Sequence, residues 1–302
     1  MNGSAVVVTT VLLGGMVISG CATHRGATVD GGLHRQAQAT APGSPSAPGS
    51  KQQATKRALA QMLEATDRPL MTALVELAKE PNAQAHRRVA QEYVRLHVLD
   101  LAHEHFTEAV TLDATDATSY DALARIWRDW GTPQLGLGDA YRAVHYAPDS
   151  AEAANTLGTL LQAVRHMDAA RQWYMRALRL DPRAWYAVNN LCYLDVLTRQ
   201  HTAVTMCEQA VAASGEQRTP RNNLALAYAA RGDLVGAKQW FRRANDPATA
   251  NYNYGIVLMS LRAYMPAAMA FEAALKADPE FTLAAARAQQ AWAAVLEQER
   301  KP

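Results

Sequence analysis

From about residue 83 onward, small residues recur in fixed columns. Ala90, Ala124, Gly158, Cys192, Ala225 and Gly255 form one column. Ala102, Gly136, Ala170, Ala203, Ala237 and Ala267 form a second, and Ala109, Ala143, Ala177, Ala210, Ala244 and Ala274 a third. The steps are 34 or 33 residues, apart from one of 30 in each column. Large residues keep the same register. Val89, Leu123, Leu157, Leu191, Leu224 and Tyr254 precede the first column. Phe106, Tyr174, Phe241 and Phe271 stand between the second and third, with Ala140 and Cys207 in the same place. A fixed period of this length marks a repeat architecture. It predicts two helices per unit that meet at the small positions, where Gly or Ala lets the backbones approach. The large residue four later fills the space beside the contact. Gly131 and Gly232 fall in turns between paired helices, where a left-handed residue is wanted. Pro148, Pro182 and Pro279 end second helices. One such unit cannot bury its apolar face alone, but stacked units can.

Period and residues together resemble the tetratricopeptide repeat (TPR). The unit 151–184 carries the resemblance most clearly, with Leu157-Gly158, Ala170, Tyr174, Ala177 and Pro182 in the family's places. Six units follow from it: 83–116, 117–150, 151–184, 185–217, 218–247 and 248–281. The implied fold is all-α, a right-handed TPR superhelix, or α-solenoid of helical hairpins. Residues 54–82 are expected to form an N-terminal helical segment, broken near Asp67-Arg68-Pro69, and 282–302 a C-terminal capping helix. Two places depart from the pattern. Asp195 stands where a large apolar residue is usual, and Asn245-Asp246-Pro247 cuts a second helix short.

In this family the first helices line a concave groove and the second helices form the outer face. That frame gives the paired asparagines of RNNL and VNNL a role. Asn155, Asn189, Asn190, Asn222, Asn223 and Asn253 are expected to form a row of amides in the groove, with Tyr186, Tyr193 and Tyr252 nearby. An amide offers one acceptor and two donors and suits a peptide backbone. Arg88, Arg125 and Arg128 take corresponding places in the earlier units, where they suit a carboxylate. Lys238 is expected on the outer face. The competing reading gives these asparagines to helix packing.

The first fifty-odd residues differ in character. Residues 5–18, AVVVTTVLLGGMVI, are uncharged and too short for a membrane span of about 20 residues, but fit a signal-peptide core. Ile18-Ser19-Gly20-Cys21 directly behind them resembles the bacterial lipobox, which makes 1–20 a lipoprotein signal and Cys21 the lipidated residue. No Lys or Arg precedes the apolar run, a departure from the usual pattern. In Gram-negative lipoproteins an Asp after the cysteine favours the inner membrane, so with Ala22 there the resemblance implies the outer membrane and a domain facing the periplasm. Residues 21–53 are rich in Gly, Ala, Ser, Pro and Gln, and read as a flexible tether with a reach on the order of 30 Å.

Charge narrows the partners further. Lys and Arg number 30 against 28 Asp and Glu, so no bulk electrostatic drive toward nucleic acid exists. The basic residues form no stripe. His97, His103 and His105 lack metalloenzyme spacing and read as a solvated helix face. Gly136-Leu137-Gly138 lacks the strand and third glycine of a nucleotide loop. No catalytic motif, cofactor site or metal site emerges, and a small-molecule substrate is not expected. Cys192 and Cys207 remain once Cys21 carries lipid, and are either bridged or two buried thiols.

The expected function is that of a non-enzymatic, membrane-anchored adaptor whose groove binds a protein segment. The chain resembles the Flp (Tad) pilus assembly TPR lipoproteins through its two NNL motifs. That resemblance implies a secretin or pilus component as partner. The alternative is an adaptor for peptidoglycan hydrolases or exopolysaccharide export.

Overall fold

A computed structural model describes residues 62–300 except 64 and 216. The signal segment, Cys21 and the tether lie outside the described residues. Among the described residues the chain forms fourteen helices and no strand. They are α1 (Arg68–Lys79), α2 (Ala83–Arg95), α3 (Leu99–Leu112), α4 (Ala117–Asp129), α5 (Pro133–Tyr146), α6 (Ala151–Ala163) and α7 (Met167–Leu180). Then come α8 (Trp185–Leu197), α9 (Ala203–Ser214), α10 (Arg218–Ala230), α11 (Leu234–Ala244), α12 (Pro247–Ser260), α13 (Tyr264–Ala277) and α14 (Thr282–Arg300). The result is an all-α solenoid of helical hairpins. No described helix is long and apolar enough to cross a membrane.

The described residues fall into two compact units that divide after Val164. In the first, α2 packs on α3, α4 on α5, and neighbouring hairpins stack through α1–α2, α3–α4 and α4–α6. In the second, α8 packs on α9, α10 on α11 and α12 on α13, with α14 closing against α13.

The second helices each bury one narrow stripe at spacing i, i+4, i+7. It is Ala102, Phe106 and Ala109 on α3, Gly136, Ala140 and Ala143 on α5, and Ala170, Tyr174 and Ala177 on α7. On α11 it is Ala237, Phe241 and Ala244, and on α13 Ala267, Phe271 and Ala274, widened there by Ala268 and Ala270. This is the face a helix presents when one side meets the core and the other water. The first helices behave differently. Every residue of α6 from Ala153 to Gln162 is buried, and every residue of α10 from Asn222 to Ala227. The cause is their number of neighbours: α8 alone touches α7, α9 and α10.

The turns stamp the period on the backbone. His97, Gly131, Arg165, Arg199, Gly232 and Arg262 all have positive φ, one in each turn between helices of a pair. Gly takes this conformation without steric penalty; His and Arg adopt it at a cost of about 1 kcal/mol. Helix starts are capped by side chains. Asp67, Asn82, Asp116, Ser150, Asp233 and Asp246 each accept a backbone N–H from the first turn.

Cys192 on α8 and Cys207 on α9 are bridged, with Cα atoms 4.7 Å apart. Cys192 occupies the small column, and that is why the two helices come close enough. Asp195 is 1% exposed, yet it is satisfied. Its carboxylate takes Arg171 Nη2 at 2.6 Å and the Thr202 hydroxyl at 2.9 Å. An ion pair thus replaces the apolar residue usual at that place and ties α7 to α8.

Candidate interaction surface

The asparagines are the first candidates, and the expectation of an open amide row is corrected by their burial. Asn189, Asn190, Asn223 and Asn253 are fully buried, and Asn155 and Asn222 are 4% exposed. A partner cannot reach them without unpacking the first helices. The amides of Asn189, Asn222 and Asn223 bond instead within the stack, whereas that of Asn253 is buried without a partner. Asn223 Nδ2 donates to Asn189 Oδ1 at 2.9 Å, from α10 to α8. Asn245 Nδ2 donates to Asn222 Oδ1 at 2.6 Å, and Asn222 Nδ2 to Asn245 Oδ1 at 3.4 Å. The doubled asparagine therefore points its two amides to two places: one to the preceding hairpin, the other to the end of α11. Tyr186 and Tyr252 are buried as well, and Tyr252 packs against Phe271 and Phe281. Tyr193 is half-buried at the edge of the separate core that contains Cys192, Cys207 and Leu224.

The three arginines keep a more accessible place, but each is paired. Arg88 bridges Glu76, Arg125 lies 3.4 Å from Asp121, and Arg128 lies 2.7 Å from Asp129 and 3.4 Å from the Thr159 hydroxyl. The Arg88–Glu76 pair is exposed on both sides, and a pair of that kind contributes about 0–1 kcal/mol and exchanges readily.

The histidines differ from their expected solvated face. His97 sits in a turn. His103 packs against both Trp127 and Trp130, with ring centroids at 5.0 and 5.2 Å. Burial pushes its pKa below the usual value, against the pull of Asp139, Glu104 and Asp100. Burial also holds the Asp139 carboxyl above its ordinary value. His105 stacks on Tyr93 and meets His86 Nδ1 to Nδ1 at 3.1 Å. Sequence proximity grouped His103 with His105; the fold brings His86 from the preceding helix. These side chains, with Glu104, Thr107 and Glu108, line a cavity of about 460 Å³. Among the described residues no group of three or more His, Cys, Asp or Glu is placed to hold a metal ion.

A second cavity, about 400 Å³, opens where α11 ends early. Lys238, Arg242, Asn245, Pro247 and Asn251 line it. Lys238 stands over the Tyr254 ring at 5.4 Å.

Residues 151–183 match the tetratricopeptide repeat family model. The fold is that of the TPR solenoids. Among solved structures, PilW, a widely conserved type IV pilus biogenesis factor, aligns with a TM-score of 0.59 at 18% identity, over 68% of this chain and 97% of that one. PilF of Pseudomonas aeruginosa aligns with a TM-score of 0.54 at 16% identity, over 70% of this chain and 96% of that one. The Cut9–Hcn1 hetero-tetramer of the APC/C gives 0.62 at 15% identity, over 78% of this chain and 48% of that one. The chain therefore spans about half the length of that last relative. At these identities the likeness is one of fold. No curated protein matches the chain. In the TPR frame, the surface left open to a partner is carried mainly by second helices. Leu135, Tyr141, Met175, Val235, Met265 and Met269 are exposed there, while the first helices from α6 onward are closed.

Proposed function

We propose that the chain is a non-enzymatic TPR adaptor, anchored at the outer membrane through Cys21, that helps assemble a pilus or secretion apparatus of the Flp (Tad) type. The observation that carries the reading is the hairpin stack shared with PilW over 97% of that chain. A stack of this kind suits scaffolding: each hairpin is held by its neighbours, while exposed apolar side chains remain on the second helices. The tether adds locality. A lipid at Cys21, with residues 22–53 as spacer, would raise the effective concentration of the domain beside a membrane-embedded partner.

The test is deletion of the gene in the bacterium that encodes it. Loss of surface pili and of assembled secretin, restored by the wild-type chain but not by Cys21→Ser, supports the reading. Normal pili with altered cell-wall turnover or capsule sink it, and favour an adaptor for peptidoglycan hydrolases or exopolysaccharide export.

A further inference from the structure

The one irregular step of the repeat leaves a notch with its own chemistry. Helix α11 has 11 residues, against 14 in α3, α5, α7 and α13. Asn245 leaves the helix in extended conformation, and Pro247 starts α12 two residues later. The missing turn opens the cavity of about 400 Å³ described above. Lys238 and Arg242 stand one turn apart on its α11 wall, both exposed, so their charges face the same space. Among the described residues neither Arg242 nor Lys238 has an ion pair or hydrogen bond, and the Lys238 ammonium stands over the Tyr254 ring.

The remaining lining divides into wall and reader. Asn245 is saturated by Asn222, Arg218 and the Phe241 carbonyl, and forms a fixed wall. Asn251 is half-buried on α12, and its amide engages no described residue. Arg218 stands beside the notch, donating to the lining Asn245 at 3.3 Å and lying 3.7 Å from Asp246. Asp246 is committed to capping α12 through the Thr249 N–H at 2.9 Å.

We propose that this notch docks an acidic polypeptide segment. Two cations one turn apart match two carboxylates of an extended or helical acidic stretch. The Asn251 amide can donate to and accept from a peptide backbone, and the Tyr254 ring with Pro247 supplies apolar contact. A nucleic acid would call for a basic stripe with spaced aromatic stacking platforms, and two cations in one notch do not provide it. The proposal rests on the adaptor reading and adds to it a place and a partner chemistry.

The test uses the full chain and a fluorescein-labelled decapeptide of Glu and Ala, with its Gln counterpart as control. Expected are saturable binding of the Glu peptide that weakens with salt, none of the Gln peptide, and a loss of at least about tenfold in K238E/R242E, whose melting curve stays that of wild type. Asn251→Ala should weaken binding several-fold without altering its salt dependence. Equal binding by wild type and K238E/R242E, no binding at all, or a single-stranded oligonucleotide preferred over the peptide overturns the proposal. The two readings fail separately. If gene deletion abolishes pili while K238E/R242E complements fully, the notch proposal falls and the pilus role stands. If deletion leaves pili intact while the Glu peptide binds at the notch, the pilus role falls alone.

Discussion

Asn223 of α10 donates its amide to Asn189 of α8 at 2.9 Å, across the boundary between two successive hairpins and with no exposure of either side chain. Asn189 Nδ2 and Asn223 Oδ1 have no partner, so the pair makes one bond where it has the atoms for two. Removing one member orphans the acceptor that remains. Asn223→Ala is therefore expected to destabilise the chain by about 1–3 kcal/mol. Asn189→Leu with Asn223→Leu together should recover most of that loss, because no buried polar group is then left unpaired. Asn253 goes further, with both amide atoms buried and unpartnered, and Asn253→Leu should raise stability on its own. Urea denaturation followed by circular dichroism decides the matter. Additive losses in the double variant would mean that the amides act separately, contrary to the observed contact.

The asparagines also show what the sequence could and could not convey. The columns of small and large residues were legible because each second helix has one buried face, and one face leaves a period. The first helices from α6 onward are buried on nearly all sides, so polarity no longer distinguishes inside from outside. Asn222 and Asn223 looked like surface residues because an amide in a core is rare; what makes it tolerable is a partner 34 residues or 23 residues away. No local pattern announces such a partner. Arg171 and Thr202, which satisfy Asp195, were hidden for the same reason. His86 was missed because grouping by nearness in sequence cannot see across the α2–α3 turn. The short step at Asn245-Asp246-Pro247 was visible, but the notch it opens depends on the path of α12.

Asp195 gives the second prediction. Its carboxylate is buried and held by Arg171 at 2.6 Å, whereas the Arg171 side chain is 31% exposed. Arg171→Ala leaves the carboxylate enclosed without its cation. The expected cost is about 3 kcal/mol, at the low end for a broken buried pair because water reaches the arginine side. Asp195→Leu removes the charge together with its need for a partner and restores the apolar residue usual in this repeat. It should lie within about 1 kcal/mol of wild type. Equal losses from the two changes would show that the ion pair carries no special share of the α7–α8 contact.

Two glycines on one helix predict opposite signs. A methyl group at Gly136 of α5 meets Trp127 Cβ at 2.8 Å and the Ala124 carbonyl oxygen at 2.9 Å. Backbone cannot move aside cheaply, so Gly136→Ala should cost about 1–3 kcal/mol. At Gly138 the nearest atom is Arg142 Nη1 at 3.7 Å, the far end of a flexible chain. Gly138→Ala should therefore gain up to about 1 kcal/mol from helix propensity. Thermal melts of the two single variants read the signs directly. A stabilised Gly136→Ala would mean that the helices of this pair stand further apart than described.

His103 makes stability depend on pH. Burial against Trp127 and Trp130 lowers its folded pKa below the ordinary value of 6.5, although Asp139, Glu104 and Asp100 pull the other way. As pH falls through 6.5 the unfolded chain takes the proton first, so the folded state loses stability until the folded pKa is passed. Asp139 acts with the opposite sign. Its folded pKa is raised above 3.8 by burial, so the native state binds that proton first, and stability from this group rises as pH falls toward 3.8. The two are separated by comparing wild type with His103→Gln in urea at a series of pH values. The variant should become progressively more stable relative to wild type as pH drops below 6.5. Any constant offset reports lost contact with the tryptophans and is set aside; only the pH-dependent part belongs to the proton. An NMR titration of the His103 ring gives the independent reading, and a midpoint at or above 6.5 would show that burial does not outweigh the pull of the three carboxylates.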